Sequence, residues 1–151
     1  MTTSTIASDL RMIDANILVY AFDEDSPFNR RCRALLESAQ VGNVELCVAP
    51  QTLAEWYAVV TNPKRVSRPR TPAEATKVID NVLSLPGLFV VPVPTDVVER
   101  WMQLLQERPV RGGKIFDLQL IATMQGNGLC KIYTFNVSDF EKVDGIEVLQ
   151  P

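Results

Sequence analysis

The chain has 151 residues, of which 46% are apolar and 22% charged, with a net charge of −3 and no histidine. That length and balance describe one globular domain with a substantial core, and exclude a disordered chain or a general polyanion binder. Without histidine, Ser-His-Asp triads, imidazole general bases and His-rich zinc or iron sites are also excluded, so any catalysis rests on carboxylates, hydroxyls, lysine or a metal held by oxygen.

Residues 1–9 are polar and Ser/Thr-rich, the pattern of a flexible arm ahead of a single domain over residues 10–151. The start lacks the basic and apolar stretches of a signal peptide, and no apolar run approaches a membrane span. Cys32, Cys47 and Cys130 are odd in number and show no paired spacing, which points to a reducing compartment. A cytoplasmic protein without membrane contact is expected.

A short strand over Leu10–Ile13 should end at Asp14 and turn at once into a short helix carrying Asn16, Ile17, Leu18, Tyr20 and Ala21. After the polar break Asp23-Glu24-Asp25, Ser26-Pro27 reads as an N-cap with proline at the first helical position, opening a helix to about Gln40. Leu46–Ala49 reads as a buried strand closed by Pro50. Gln51–Thr61 reads as a helix that is apolar on most sides, hence buried.

Asn62–Arg70 contains two prolines and four basic residues and cannot continue that helix. Thr71-Pro72-Ala73-Glu74 is a capping box, and its helix should run to about Leu85, before Pro86-Gly87. Leu88–Val93 is a third strand. Thr95 is expected to cap a helix to about Glu107, with Val97, Val98, Trp101, Leu104 and Leu105 inward. A basic loop, Pro109–Gly113, leads into a helix over Ile115–Gln125, stopped by Gly126-Asn127-Gly128. Leu129–Thr134 and Ile146–Leu149 are the last strands, separated by a loop with one helical turn. Strands alternating with helices imply a three-layer α/β/α domain around a mostly parallel sheet of about five strands, with ligands at the carboxyl ends of the strands.

Three apolar segments each carry a single charge. Asp14 is the one charge in Met12–Phe22, Glu55 in Pro50–Val60 and Asp117 in Ile115–Cys130. A lone acid in such a run is costly to bury unless donors or a cation satisfy it. Each alone reads as a helix cap or a solvated edge; together they favour a shared cation. With Asp139, after the fourth strand, they form an all-oxygen set suited to Mg²⁺ or Mn²⁺, which can orient a water and clamp phosphate oxygens. Asp139 also reads as an ordinary turn aspartate. Asn16 and Thr134 read as supports of backbone turns. Trp56, Tyr57 and Trp101 read as core rather than base-stacking platforms.

Basic residues cluster at Arg30, Arg31 and Arg33, at Lys64, Arg65, Arg68 and Arg70, and at Arg108, Arg111 and Lys114. Such clusters are usually solvated faces, but they can steer a nucleic acid even when the net charge is negative.

The segments that carry the acids also resemble a known family. Met12-Ile-Asp-Ala-Asn-Ile-Leu-Val-Tyr-Ala resembles the opening strand and turn of PIN-domain ribonucleases. Leu53-Ala-Glu-Trp-Tyr, Ile115-Phe-Asp-Leu-Gln-Leu-Ile-Ala-Thr and Tyr133-Thr-Phe-Asn-Val-Ser-Asp-Phe resemble the three motifs that follow. The likeness covers about Leu10 to Pro151 and is nearest to the small stand-alone PIN toxins of VapC type. It implies metal-dependent hydrolysis of single-stranded RNA in line at phosphorus, leaving a 5′-phosphate, with Mg²⁺ or Mn²⁺ as cofactor. It also implies a homodimer and inhibition by a small antitoxin.

On that resemblance Asp14, Glu55 and Asp117 match the metal-binding acids. Many members have aspartate where this chain has the neutral Asn136, so the fourth charge falls to Asp139, and Asn136 becomes a supporting group. Lys64, Arg65, Arg68, Arg111 and Lys114 are the expected contacts to RNA or partner. Two other functions fit parts of the pattern. One is a catalytically silent RNA- or protein-binding module on the same fold. The other is an acid-metal phosphatase, which would need a second acid two residues after its nucleophile, where this chain has Asn16.

Overall fold

A computed structural model describes residues 9–151; the expected arm at residues 1–9 lies outside the described residues except for Asp9. The elements run β1 (Arg11–Ile13), α1 (Ala15–Ala21), α2 (Asn29–Gln40), β2 (Leu46–Val48), α3 (Pro50–Val60), α4 (Pro72–Leu83), β3 (Leu88–Val90), α5 (Val97–Glu107), α6 (Lys114–Gly126), β4 (Lys131–Tyr133), α7 (Val137–Phe140) and β5 (Glu147–Leu149). All five strands are parallel, in the order β3-β2-β1-β4-β5. The expected α/β class is borne out, and the sheet is wholly rather than mostly parallel.

The strand order explains the layers. The chain moves one way from β1 to β2 to β3, then returns to β4 and moves the other way to β5. Right-handed crossovers therefore put the helices before β3 on one face and those after it on the other. Two separate cores follow. Ile13, Leu46, Val48 and Leu88 pack with α1–α4, including buried Trp56. Met12, Cys47, Ile132 and Val91 pack with α5, α6 and Phe140. Alternate residues of one strand feed opposite cores, as the two-residue period requires. The sheet changes direction between β1 and β4, and there a cleft opens at the carboxyl ends of the strands.

Local signals place most element ends. Thr71 Oγ1 accepts from Glu74 N at 3.2 Å while Glu74 Oε1 accepts from Thr71 N at 3.0 Å, so the capping box of α4 is complete. Pro50 does not merely close β2; it is the first residue of α3, and Thr52 Oγ1 accepts from Ala49 N at 3.2 Å. After α6, Gly128 takes φ +70°, and Gly128 N and Leu129 N donate to Gln125 O and Met124 O. This crossed pair of bonds reverses the chain into β4.

Three expectations need correction. Ser26-Pro27 does not start α2. Ser26 Oγ accepts from Phe28 N at 3.1 Å, which makes a local turn, and the helix begins at Asn29. Thr95 does not cap α5 either: a turn from Pro94 O to Val97 N precedes the helix, and Asp96 occupies the cap position. Val98 faces outward and is 60% exposed, four residues from exposed Met102.

Candidate active site

Asp14 follows β1 and precedes α1 with an extended backbone, φ −75° and ψ 159°. Its N–H donates to Tyr133 O at 3.0 Å, continuing the seam between β1 and β4. Its Oδ1 accepts from Ala15 N and its Oδ2 from Thr134 Oγ1, each at 2.8 Å. The side chain is only 4% exposed. Burial raises its proton affinity above the ordinary aspartate range; the bonds from Thr134 and Ala15 pull against this, and the charge of Asp139 adds to it. Asp14 is therefore a helix cap and a buried acid at once.

Thr134 is fully buried and central to a small net. Besides donating to Asp14, its Oγ1 accepts from Asn136 N at 3.0 Å and from Asn16 Nδ2 at 3.4 Å. Asn16 Oδ1 accepts from Phe135 N at 3.4 Å. Asn16, Thr134 and Asn136 thus stitch the start of α1 to the turn after β4.

The other acids ride on helices. Glu55 lies half-buried on α3, and burial first, then the charge of Asp14, raises its carboxyl against a hydrogen bond from Gln51. Asp117 sits half-buried in the first turn of α6 without capping it. Burial, then the charges of Asp14, Asp139 and Glu55, lift Asp117 from 3.8 to about 7, with Lys114 pulling the other way. Asp139 is half-buried in the single turn of α7.

Asp14, Asn16, Glu55, Asp117 and Asn136 line one cleft of about 870 Å³; Asp139 does not line it, although its charge is felt there. Among the described residues, no three His, Cys, Asp or Glu side chains stand close enough to form a ready-made metal cage. The ion pairs among the described residues are Arg68–Asp25 at 3.9 Å and Arg100–Asp96 at 2.9 Å, and neither involves the four acids. The acids repel one another across the cleft without a paired cationic side chain. Such an all-oxygen set has the donor chemistry that a hydrated hard cation accepts.

The expected basic contacts divide. Arg65 and Arg68 line the cleft; Lys64, Arg111 and Lys114 are exposed outside it, with Lys114 near enough to lower Asp117.

Two roles in the site were not anticipated: Gln51 is not among the expected site residues, and Arg70 reads only as part of a basic cluster. Gln51 Nε2 donates to Glu55 Oε1 at 2.6 Å and to Phe116 O at 2.7 Å, so it ties the helix of Glu55 to the turn that carries Asp117. The spacing from Gln51 to Glu55, one helical turn, was the available signal. Arg70 closes the basic loop: its N–H donates to Val60 O at 2.7 Å and its Nη2 to Phe22 O at 2.9 Å, joining the ends of α3 and α1. No local spacing marks Arg70, because both partners are carbonyls at helix ends. The acidic break at Asp23, Glu24 and Asp25 also lines the cleft.

Comparisons with known proteins bear on the family and the fold. The family model described as PIN domain matches residues 11–146. Ribonuclease VapC48 of Mycobacterium tuberculosis is 25% identical over 138 residues, covering 91% of this chain and 94% of that protein. The crystal structure of Mycobacterium tuberculosis VapC20, a toxin that cleaves the sarcin-ricin loop, superposes with a TM-score of 0.68 at 15% identity, covering 94% of this chain and 99% of that one. VapBC2 from Rickettsia felis, bound to a DNA fragment from its promoter, superposes with a TM-score of 0.66 at 18% identity, covering 94% and 98%.

Proposed function

The chain belongs to the PIN-domain family, and from that premise we propose that it is a divalent-metal-dependent endoribonuclease, the toxin of a toxin–antitoxin pair, hydrolysing phosphodiester bonds of single-stranded RNA. The observation that carries this reading is the cleft where Asp14, Glu55 and Asp117 face one space, with no cationic side chain paired to them among the described residues. The ribonuclease relatives of VapC type support it.

Asp14, Glu55 and Asp117 would hold Mg²⁺ or Mn²⁺, and Asp139 would complete the shell or position the attacking water. When bound, the ion offsets the repulsion among the carboxylates, polarises the phosphate and makes water acidic enough to act as nucleophile. The remaining work belongs to the chain. Thr134 Oγ1 and Ala15 N–H fix both oxygens of Asp14, and Gln51 aims Glu55. Asn16 and Asn136 brace the turn that presents Thr134. Lys64, Arg65, Arg68, Arg111 and Lys114 draw the RNA backbone toward a cleft whose own acids would repel it. Water adds to phosphorus as the bond to the 3′ oxygen breaks, leaving a 5′-phosphate and a 3′-hydroxyl.

The partner is a small antitoxin, a reading supported by the VapBC complexes among the structural neighbours. A homodimer is the assembly: Phe89 and Val90 on β3 and Val98 and Met102 on α5 are exposed apolar groups that a second copy would cover. The setting is the cytoplasm, where RNA is available. Among the described residues no helix is long and apolar enough to cross a membrane.

The absence of a ready-made cage among the described residues favours one competitor, the catalytically silent binding module. The test compares wild type with Asp14→Asn on one RNA in Mg²⁺, Mn²⁺ or chelator. Cleavage by wild type alone, and only with a divalent ion, supports the enzyme. Equal cleavage by both proteins, or none by either, returns the chain to the binding module.

A further inference from the structure

Beside the cleft, Arg31 lies over two aromatic rings at once. Its guanidinium carbon is 5.3 Å from the Phe28 ring centre and 5.6 Å from that of Phe135. The two rings are 4.7 Å apart, and each meets Tyr20 at 5.2 Å. Tyr20 lines the cleft. Phe135 sits between Thr134, which is bonded to Asp14, and Asn136, which lines the cleft. The rings therefore form a continuous floor from the acids outward to Arg31.

Arg31 itself is exposed and enters no ion pair among the described residues. The guanidinium lies over the rings on one side, and the residue is otherwise open to solvent. A guanidinium is flat, weakly hydrated and stacks well on π systems, so the free face suits another planar ring. Its position in the fold is unfavourable for the helix alone. Arg30 and Arg31 occupy the first turn of α2, where a positive charge opposes the helix dipole; that turn has no acid and its cap position makes no side-chain hydrogen bond. The cost is offset if an anionic strand passes there.

We propose that Arg31, on its floor of Phe28 and Phe135, is a stacking subsite for one unpaired base of the RNA strand as it leaves the cleft. This deepens the ribonuclease reading and rests on it for the identity of the strand. Arg30, exposed in the same first turn of α2, would meet a neighbouring phosphate.

The test measures affinity for single-stranded oligonucleotides in the full chain carrying Asp14→Asn, with Arg31, Arg31→Lys or Arg31→Gln. Arg31→Lys keeps the charge and loses the plane. It should bind about tenfold more weakly, the size of one base stack, with an unchanged salt slope. Arg31→Gln should bind more weakly still, with a shallower slope. An abasic nucleotide walked along the strand should erase the Arg31→Lys difference at one position. Equal binding by the parent and Arg31→Lys, or a difference that no abasic position erases, overturns the proposal. So does a change that weakens a protein partner and leaves RNA binding intact. A wild-type protein that binds RNA without cleaving it would overturn the ribonuclease reading and leave this inference standing; a protein with no affinity for RNA overturns both.

Discussion

Asp14 and Asp117 face the same cleft but are held in opposite ways. Asp14 is built into the seam between β1 and β4, with a donor on each carboxylate oxygen. Asp117 projects from the first turn of α6, with no hydrogen bond to its side chain among the described residues, and burial, then the charges of three other acids, raise it to about 7. A carboxylate held by a neutral donor on each oxygen stays oriented whether or not a cation is present, even though burial raises its proton affinity. A carboxylate surrounded by other charges destabilises the fold unless something positive arrives. On the proposed reading the first is an anchor and the second a sensor of the ion.

The sharpest way to break this contrast is Asp14→Asn. The amide keeps the shape and an acceptor for Ala15 N–H but turns a donor toward Thr134 Oγ1, so melting should fall less than in Asp14→Ala while cleavage falls below detection. Asp14→Ala should instead lose about 1–2 kcal/mol, since the cap is gone and Thr134 is left without its acceptor. Thermal melting paired with an RNA cleavage assay separates the two. Asp14→Asn melting as low as Asp14→Ala would show that the negative charge is itself structural.

Next in size is Gln51→Met, which keeps volume and removes the donor between α3 and α6. Supporting groups of this kind are worth about 10- to 100-fold in metal affinity. The expected outcome is a rise in the Mn²⁺ concentration needed for cleavage, with the rate at saturating Mn²⁺ nearly restored. An unchanged requirement would mean that Gln51 only joins two helices. Asp139→Asn should cost less than Asp14→Asn, because Asp139 stands off the cleft wall and Asn136 and water can partly replace it.

Much of this architecture was legible in the residues. Each acid stood alone in an apolar run, and the alternation of runs and breaks implied the layered sheet. The capping box at Thr71 and the glycine stop after Gln125 were readable because one local pattern has one structural use there. Ser26 and Thr95 misled because a hydroxyl can close a turn as easily as cap a helix, and tertiary packing decides between them. The inward expectation for Val98 failed because hydrophobicity alone does not say which apolar residues on α5 face α6. The long-range bonds of Gln51 and Arg70 were out of reach for another reason: their partners, Phe116 O and Phe22 O, are backbone atoms 65 and 48 residues away.

The most direct test of the contrast is the melting temperature of wild type and Asp117→Asn as a function of pH, in chelator and in Mn²⁺. The sign follows from linkage. The Asp117 carboxyl binds its proton more tightly folded than unfolded, so its contribution is fully present below about pH 4 and is lost as pH rises through about 7. In chelator, wild type should lose stability across that window more steeply than Asp117→Asn, and Asp117→Asn should melt higher at pH 7.5. Mn²⁺ should restore wild type by mass action and shift Asp117→Asn much less. An Asp117→Asn protein that melts lower than wild type in chelator, with equal Mn²⁺ shifts in both, would contradict the account.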